Sequence, residues 1–217
     1  MLCVIGPNGC GKTTLFNLIT GHLRPTEGSI RFAGHDLTRL KPHQIGRLGI
    51  GRKFQVPSVF DDLSVADNLR VARFAEAGRA GLWGLRQRSK GDGDADLLAR
   101  VGLADQARTP AGALSHGQKQ WLEIALVLAL EPRLILLDEP TAGMTRGETA
   151  ATAELIKDIH RGGGVAVILI EHDMHFVAAL DCPVAVMMRG AIVARGDYAT
   201  VRAVDAVREG YLGAGHA

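Results

Sequence analysis

A glycine-rich segment near the first residue most narrows what this chain can fold into. Residues 6–13 read Gly6-Pro-Asn-Gly-Cys-Gly-Lys-Thr13, which matches the pattern G-x-x-x-x-G-K-[ST] without a mismatch. An apolar run typical of a buried strand precedes the segment at residues 1–5, and apolar residues at helical spacing follow it in residues 13–20. In a strand–loop–helix unit of this kind, backbone N–H groups and a helix N-terminus face an anion. The segment therefore predicts a phosphate-binding loop.

Within this loop, each residue type has an expected part in holding a nucleotide. Lys12 is expected to reach the β- and γ-phosphates, and the Thr13 hydroxyl is expected to bind Mg²⁺. The residues predicted to contact the phosphates are Gly6, Pro7, Asn8, Gly9, Cys10, Gly11, Lys12, Thr13 and Thr14.

An acidic pair follows a buried strand in the second half of the chain. Residues 134–137 are Leu-Ile-Leu-Leu, and Asp138 and Glu139 come directly after them. Ligands of open α/β sheets bind at the carboxyl ends of the strands, where Asp138 would emerge. We expect Asp138 to bind Mg²⁺ and Glu139 to polarise an attacking water.

Apolar runs alternate with helical patterns along the rest of the chain, which predicts an α/β fold with a parallel sheet covered on both faces. Residues 76–93, rich in glycine and charge, are expected to form a loose surface connection. The predicted strands are 1–5, 29–33, 134–138, 165–171, 184–188 and 191–194, and the predicted helices are 13–20, 64–75, 94–101, 115–130 and 145–160.

Composition excludes several classes of protein. The 217 residues carry a net charge of only +2, too balanced for electrostatic binding of nucleic acid. The three cysteines have no zinc-ligand spacing and favour a reducing cytosol. No apolar run approaches the roughly 20 residues of a membrane span, and no secretory leader is evident.

Between the two motifs lies Leu114-Ser115-His116-Gly117-Gln118. The order of phosphate loop, LSxGQ and acidic strand resembles the ATP-binding-cassette (ABC) ATPases over nearly the whole chain. This resemblance implies a P-loop NTPase of ABC type, a single domain over 1–217 with a helical subdomain inserted at about 64–130. It also implies ATP and Mg²⁺ as cofactors. Ser115, Gly117 and Gln118 would contact the ATP of a second subunit, and His116 replaces the family's usual glycine.

Further positions follow from the same resemblance. Gln55 matches the family's glutamine loop, which contacts Mg²⁺ and water, and His172 matches the switch histidine at the γ-phosphate. The stretch Ala142-Gly-Met-Thr145 lacks the aspartate usual in the family's D-loop. With Glu139 and Lys12, Gln55 and His172 complete the predicted catalytic set.

The resemblance is closest to the ATPase subunits of branched-chain amino-acid and amide importers. The stretches 52–60, 114–124 and 142–145 carry it, and within them residues 116–124 and 142–145 look most like the urea-importer subunit. The expected partners are membrane permease subunits, a second ATPase subunit identical or related to this one, and a periplasmic solute-binding protein. The expected place is the cytoplasmic face of the inner membrane. Alternatives left open are a lipid or lipopolysaccharide exporter ATPase, a soluble ATPase acting on DNA or ribosomes, and a non-hydrolysing regulatory module.

Family members carry some twenty or more residues before the phosphate loop, including two strands and an aromatic residue that stacks on adenine. The sequence given therefore predicts that these N-terminal strands are missing and that Met1 is an internal residue of a longer chain. With their partners missing, residues 29–33 would lie at an unpaired sheet edge, which is an aggregation hazard.

Overall fold

The computed structural model describes residues 1–53, 59–80, 92–204 and 207. Its main feature is a six-stranded sheet with the strand order β4-β5-β6-β1-β7-β8. All neighbours pair in parallel except β7 and β8, which form an antiparallel hairpin. The strands of this sheet are β1 (Leu2–Ile5), β4 (Ile50–Lys53), β5 (Leu134–Asp138), β6 (Ala166–Ile170), β7 (Val184–Met188) and β8 (Ala191–Gly196).

Helices cover both faces of the sheet, as predicted. They are α1 (Lys12–Ile19), α2 (Pro42–Arg47), α3 (Val65–Ala80), α4 (Asp92–Arg100), α5 (His116–Leu128), α6 (Arg146–Gly163), α7 (Met174–Leu180) and α8 (Tyr198–Arg202). Short 3₁₀ turns occupy Ala104–Gln106 and Ala111–Ala113. The mostly parallel α/β fold is confirmed.

The core has two parts because strand side chains alternate between the two faces of the sheet. In β5, Ile135 and Leu137 belong to the larger apolar cluster, which also takes in α5 and α6. Leu134 and Leu136 belong to the smaller one, with Phe16 of α1. The whole of β5 is buried, which explains why its sequence is a continuous apolar run.

The register of the central strands sets the position of the functional loops. Asp138 pairs with Ile170, and Ile170 pairs in turn with Val4. These three residues form one row across the sheet, so the loops that follow β1, β5 and β6 leave from the same edge. The phosphate loop, the acidic pair and His172 are therefore neighbours.

Two expectations about connections were wrong. Residues 76–93 were expected to be a loose connection, yet α3 continues to Ala80 and α4 begins at Asp92; residues 81–91 lie outside the described residues. Residues 29–33 were expected at an unpaired edge, yet β2 (Arg31–Phe32) pairs with β3 (His35–Asp36). Ala33 and Gly34 both have positive φ, as a two-residue hairpin turn of type I′ requires.

The described elements from Val65 to Leu128 are helices and 3₁₀ turns. Their assignment to a separate helical subdomain at about 64–130 stays a prediction. No helix among the described residues is long and apolar enough to cross a membrane.

Candidate functional site

The phosphate loop packs tightly against the β7–β8 hairpin. A Cβ atom at Gly6, where φ is +151°, would lie 2.0 Å from the carbonyl oxygen of Met187. The backbone N–H of Gly190 donates to the carbonyl of Cys10 at 2.9 Å. Only glycine allows this approach at residue 6, so the first glycine of the motif is needed for packing as well as for phosphate contact.

Lys12 folds over this loop. Its ammonium donates to the carbonyl oxygens of Gly6 at 2.7 Å and Pro7 at 3.0 Å, and its side chain is buried. Asn8, Gly9, Thr13 and Thr14 are exposed around it. The loop thus has a fixed positive charge under an open rim of polar groups, which suits a polyphosphate.

Asp138 lies at the end of β5 with its side chain 1% exposed. Its Oδ2 is 3.4 Å from Nη2 of Arg52, whose Nη1 donates to Asn17 Oδ1 in α1 at 2.6 Å. Burial raises the pKa of Asp138, and the Arg52 guanidinium opposes that rise. Oδ1 of Asp138 has no hydrogen-bond partner among the described residues, so one acceptor is left for a ligand.

Glu139 and His172 meet beside Asp138. Glu139 Oε1 is 2.9 Å from Nε2 of His172, and both side chains are half-buried. Glu139 has a left-handed backbone with φ +48°, and its N–H donates to the carbonyl of Ile170 at 3.0 Å. A non-glycine residue in this region is uncommon and often functional. The turn directs the carboxylate of Glu139 toward His172.

The residues present fit a magnesium ion bound together with a nucleotide. Among the described residues, no group of three or more His, Cys, Asp or Glu side chains could hold a metal ion. Mg²⁺ is usually held by one or two carboxylates plus substrate phosphates. The unpartnered Oδ1 of Asp138 and the exposed hydroxyl of Thr13 are of the right type. Gln55, the third predicted ligand, lies outside the described residues.

The LSxGQ segment forms the N-terminus of α5. The Ser115 hydroxyl accepts from the N–H of Gln118 at 3.2 Å, and Gln118 Oε1 accepts from the N–H of Ser115 at 2.9 Å. This reciprocal capping box is the one that the sequence predicts. Within the described residues, no hydrogen bond joins Ser115, Gly117 or Gln118 to the phosphate loop. The nucleotide contacts of these three residues stay a prediction.

Glu148 of α6 covers that helix terminus. Its Oε1 accepts from the Ser115 hydroxyl at 3.2 Å, and a Cβ at Gly117 would lie 2.4 Å from the same oxygen. Bonds from the N–H and hydroxyl of Thr145 lower the pKa of Glu148. His116 adds a contact from its Nε2 to the carbonyl of Ala142 at 2.9 Å. The segment 142–145 therefore contacts the LSxGQ helix directly.

Two residues with clear structural roles at the site were missed by sequence reasoning. Arg52 contacts Asp138, and Glu171 accepts hydrogen bonds from Thr141 and His172. Arg52 lies where no strand was predicted, so the sequence around it gives no local signal of this contact, and Glu171 was noted only as the last residue of a predicted strand.

A family model and curated relatives match the chain over most of its length. A model of the ABC transporter family matches residues 1–142. The high-affinity branched-chain amino acid transport ATP-binding protein BraF of Pseudomonas aeruginosa is 37% identical over 98% of this chain and 87% of its own length. LivG of Escherichia coli K12, which bears the same description, is 36% identical over 98% of this chain and 87% of its own length.

Solved structures show the same fold. The ADP conformation of MJ1267, an ATP-binding cassette of an ABC transporter, aligns with a TM-score of 0.83 at 31% identity. That alignment covers 98% of this chain and 87% of MJ1267. A nucleotide-free cassette from an ABC transporter aligns with a TM-score of 0.82 at 28% identity, over 98% of this chain and 88% of its own. The family match, the relatives and the fold agree, and the chain belongs to the ABC transporter family as one of its ATP-binding cassettes.

Proposed function

We propose that this chain is the ATP-binding and ATP-hydrolysing subunit of an ABC importer. The observation that carries the proposal is the contact of Glu139 with His172 at 2.9 Å, beside a buried aspartate and on the sheet edge that also carries the phosphate loop. This arrangement supplies a carboxylate that can orient the attacking water and positive groups that can balance the charge of the phosphates. Phosphoryl transfer to water needs both.

In the proposed reaction, Glu139 orients and deprotonates a water that attacks the γ-phosphorus of ATP. The bond to the bridging oxygen breaks, and ADP and phosphate leave. His172 holds the Glu139 carboxylate through Nε2, and Lys12 balances charge on the phosphate oxygens. Mg²⁺, held by Thr13, Asp138 and Gln55, would neutralise the β- and γ-phosphate oxygens.

We further propose that two such subunits enclose two ATP molecules. Ser115 is exposed at the helix terminus, while Gly117 beside it is buried under Glu148. Within the described residues, neither these two nor Gln118 bonds to its own phosphate loop, which supports a contact in trans. The second subunit would be a copy of this chain or a related ATPase. Membrane permease subunits would bind the pair at the cytoplasmic face of the inner membrane, and a periplasmic protein would deliver the solute.

The transported solute is proposed from relatives. BraF and LivG are branched-chain amino acid transport proteins by description, and residues 116–124 and 142–145 resemble the urea-importer branch. Uptake of labelled leucine, an amide and urea by cells with and without this chain would separate these solutes. If cells without this chain took up all three solutes normally but lost lipid export, the exporter alternative would be favoured.

The variant Glu139→Gln tests the hydrolytic role. It should reduce ATP turnover by the reconstituted transporter about a hundredfold or more while ATP still binds. Glu154→Gln, at an exposed pair with Lys157, is the matched control and should turn over normally. Unchanged turnover in Glu139→Gln would remove that residue from the role.

A further inference from the structure

Glu171 is a buried carboxylate that the reaction outlined above does not use. Glu171 directly follows β6 and precedes His172, and the residue is 3% exposed. A buried charge is costly unless hydrogen bonds or an opposite charge compensate it. The hydrogen bonds that Glu171 accepts therefore indicate what it does.

Within the described part of the chain, the hydrogen bonds to this carboxylate come from the two loops that carry the proposed catalytic pair, at Thr141 on one side and at His172 and Asp173 on the other. Oε1 accepts from the N–H of Thr141 at 3.2 Å and from its hydroxyl at 2.7 Å. Oε2 accepts from the N–H of His172 at 3.0 Å. Thr141 is two residues after Glu139, so one oxygen holds the loop of the proposed base and the other holds the backbone of its histidine partner.

The backbone completes a closed arrangement around Glu139. The N–H of Glu139 donates to the carbonyl of Ile170, the residue before Glu171. The side chain of Glu139 contacts His172, the residue after Glu171. A shift of either loop would change the Glu139–His172 distance, and Glu171 joins the two loops through hydrogen bonds to a charged acceptor, which are the stronger kind.

We propose that Glu171 is a positioning residue for ATP hydrolysis, acting as a clamp between the loop of Glu139 and the loop of His172. This inference rests on the proposed function. The clamp requires a carboxylate, because the groups of Thr141 and His172 that bond to it all donate and an ionised carboxylate only accepts. In a glutamine, one end would be an NH₂ group facing an N–H of Thr141 or His172, so one side of the clamp would be lost.

The test compares Glu171→Gln with two variants at Thr141. Glu171→Gln should lower kcat roughly ten- to a hundredfold, as expected for losing a hydrogen bond to a charged group, and should leave the Kd for ATP unchanged. Thr141→Val should lower kcat in the same direction, and Thr141→Ser, which keeps the hydroxyl, should restore it. Thr152→Val removes a buried hydroxyl that bonds Trp121 and should leave kcat unchanged, which controls for a general loss of stability.

A double-mutant cycle shows whether Glu171 acts through His172. In a His172→Ala background, Glu171→Gln should lower kcat by a smaller factor than in the wild type, because one of the two side chains it positions is gone. Full additivity of the two losses, or a parallel loss of ATP affinity in Glu171→Gln, would overturn the proposal.

A measurement without nucleotide tests the clamp independently of ATP hydrolysis. Amide hydrogen exchange of Glu139, Thr141 and Ala142, and of residues 171–173, should rise in Glu171→Gln and stay at the wild-type level in Thr141→Ser. A wild-type chain with no ATP turnover in the reconstituted transporter would defeat the proposed function, whereas exchange unchanged by Glu171→Gln would defeat the clamp.

Discussion

Lys53 and Glu123 form an ion pair inside the protein, with Nζ and Oε2 3.2 Å apart and side chains 3% and 5% exposed. Lys53 ends β4 and Glu123 lies within α5. The pair thus joins the sheet, two residues before Gln55, to the helix that begins at the LSxGQ segment. A pair this well buried adds little net stability, but removing one partner leaves an uncompensated charge.

Lys53→Met should therefore destabilise the protein by about 3–5 kcal/mol, because Glu123 would remain buried without a cation. The double variant Lys53→Met/Glu123→Leu should recover most of that loss. Lys157→Met is the matched control, since its partner Glu154 is 71% exposed and such pairs contribute about 1 kcal/mol or less. Urea denaturation of the variants measures the difference, and equal losses in Lys53→Met and Lys157→Met would contradict it.

The close approach of Gly6 to Met187 gives a second prediction. Gly6→Ala should destabilise the protein by about 1–3 kcal/mol more than Gly28→Ala, because its Cβ would meet a backbone oxygen that cannot turn away. Gly28 also has positive φ, +78°, but nothing lies within 4 Å of its added Cβ. The comparison therefore separates backbone strain from steric overlap. Thermal unfolding of the two variants measures it, and equal melting temperatures would contradict the steric argument.

Local patterns explain which elements could be predicted from the sequence. The strand at 134–138 and the helix capped by Thr145 and Glu148 need only an apolar run and a capping box. β4 was missed because Ile50–Lys53 contains a glycine and two cations. Those cations are buried only because Asp138 and Glu123, far along the chain, pair with them.

The site also contains residues that the sequence could predict and residues that it could not. The positions of Lys12, Asp138, Glu139 and His172 follow from motifs and resemblance, and the structure brings the last three to one sheet edge. The contact of Glu139 with His172 depends on the register between β5 and β6. That register cannot be read from a single sequence. The roles of Arg52 and Glu171 likewise depend on contacts across strands. What these residues do in catalysis stays a prediction.

Arg52 gives a third prediction, about magnesium. Its guanidinium holds Oδ2 of Asp138 and links it to Asn17. Groups that orient a metal ligand typically change metal affinity ten- to a hundredfold when removed. Arg52→Gln should therefore weaken Mg²⁺ binding to the nucleotide complex by about tenfold or more and leave metal-free nucleotide binding unchanged.

Calorimetric titration of Mg²⁺ into the complex with a non-hydrolysable ATP analogue measures this effect. Arg133→Gln is the control, since Arg133 lies 5.6 Å from the centroid of the Phe32 ring and is not bonded to Asp138. An equal loss in both variants would mean that Arg52 acts only on general stability.

Glu171 gives a fourth prediction, on the pH dependence of stability. Burial raises the pKa of this carboxyl from its ordinary value of 4.5, and bonds from Thr141 and His172 oppose the rise without cancelling it. Cys3 of β1 is the thiol that interacts with it, and burial raises the pKa of Cys3 as well. The thiol therefore stays neutral at acidic to neutral pH and adds no charge beside Glu171.

The sign follows from the direction of the shift. A carboxyl whose pKa is higher in the folded than in the unfolded protein binds its proton more tightly when folded. Its stabilising contribution is complete below pH 4.5 and is lost as the pH rises through the raised pKa. Relative to Glu171→Gln, which does not titrate, the wild type should lose unfolding free energy between pH 4.5 and the raised pKa.

Urea denaturation of the wild type and Glu171→Gln across pH 4 to 8 measures this difference, and a constant gap between the two proteins would contradict it. The proposed clamp needs the ionised carboxylate, whereas folding favours the protonated one. A residue kept for stability alone would not oppose folding in this way. The part of the stability that depends on Glu171 should therefore fall over the pH range in which its ionised form appears, and this part should be absent from Glu171→Gln.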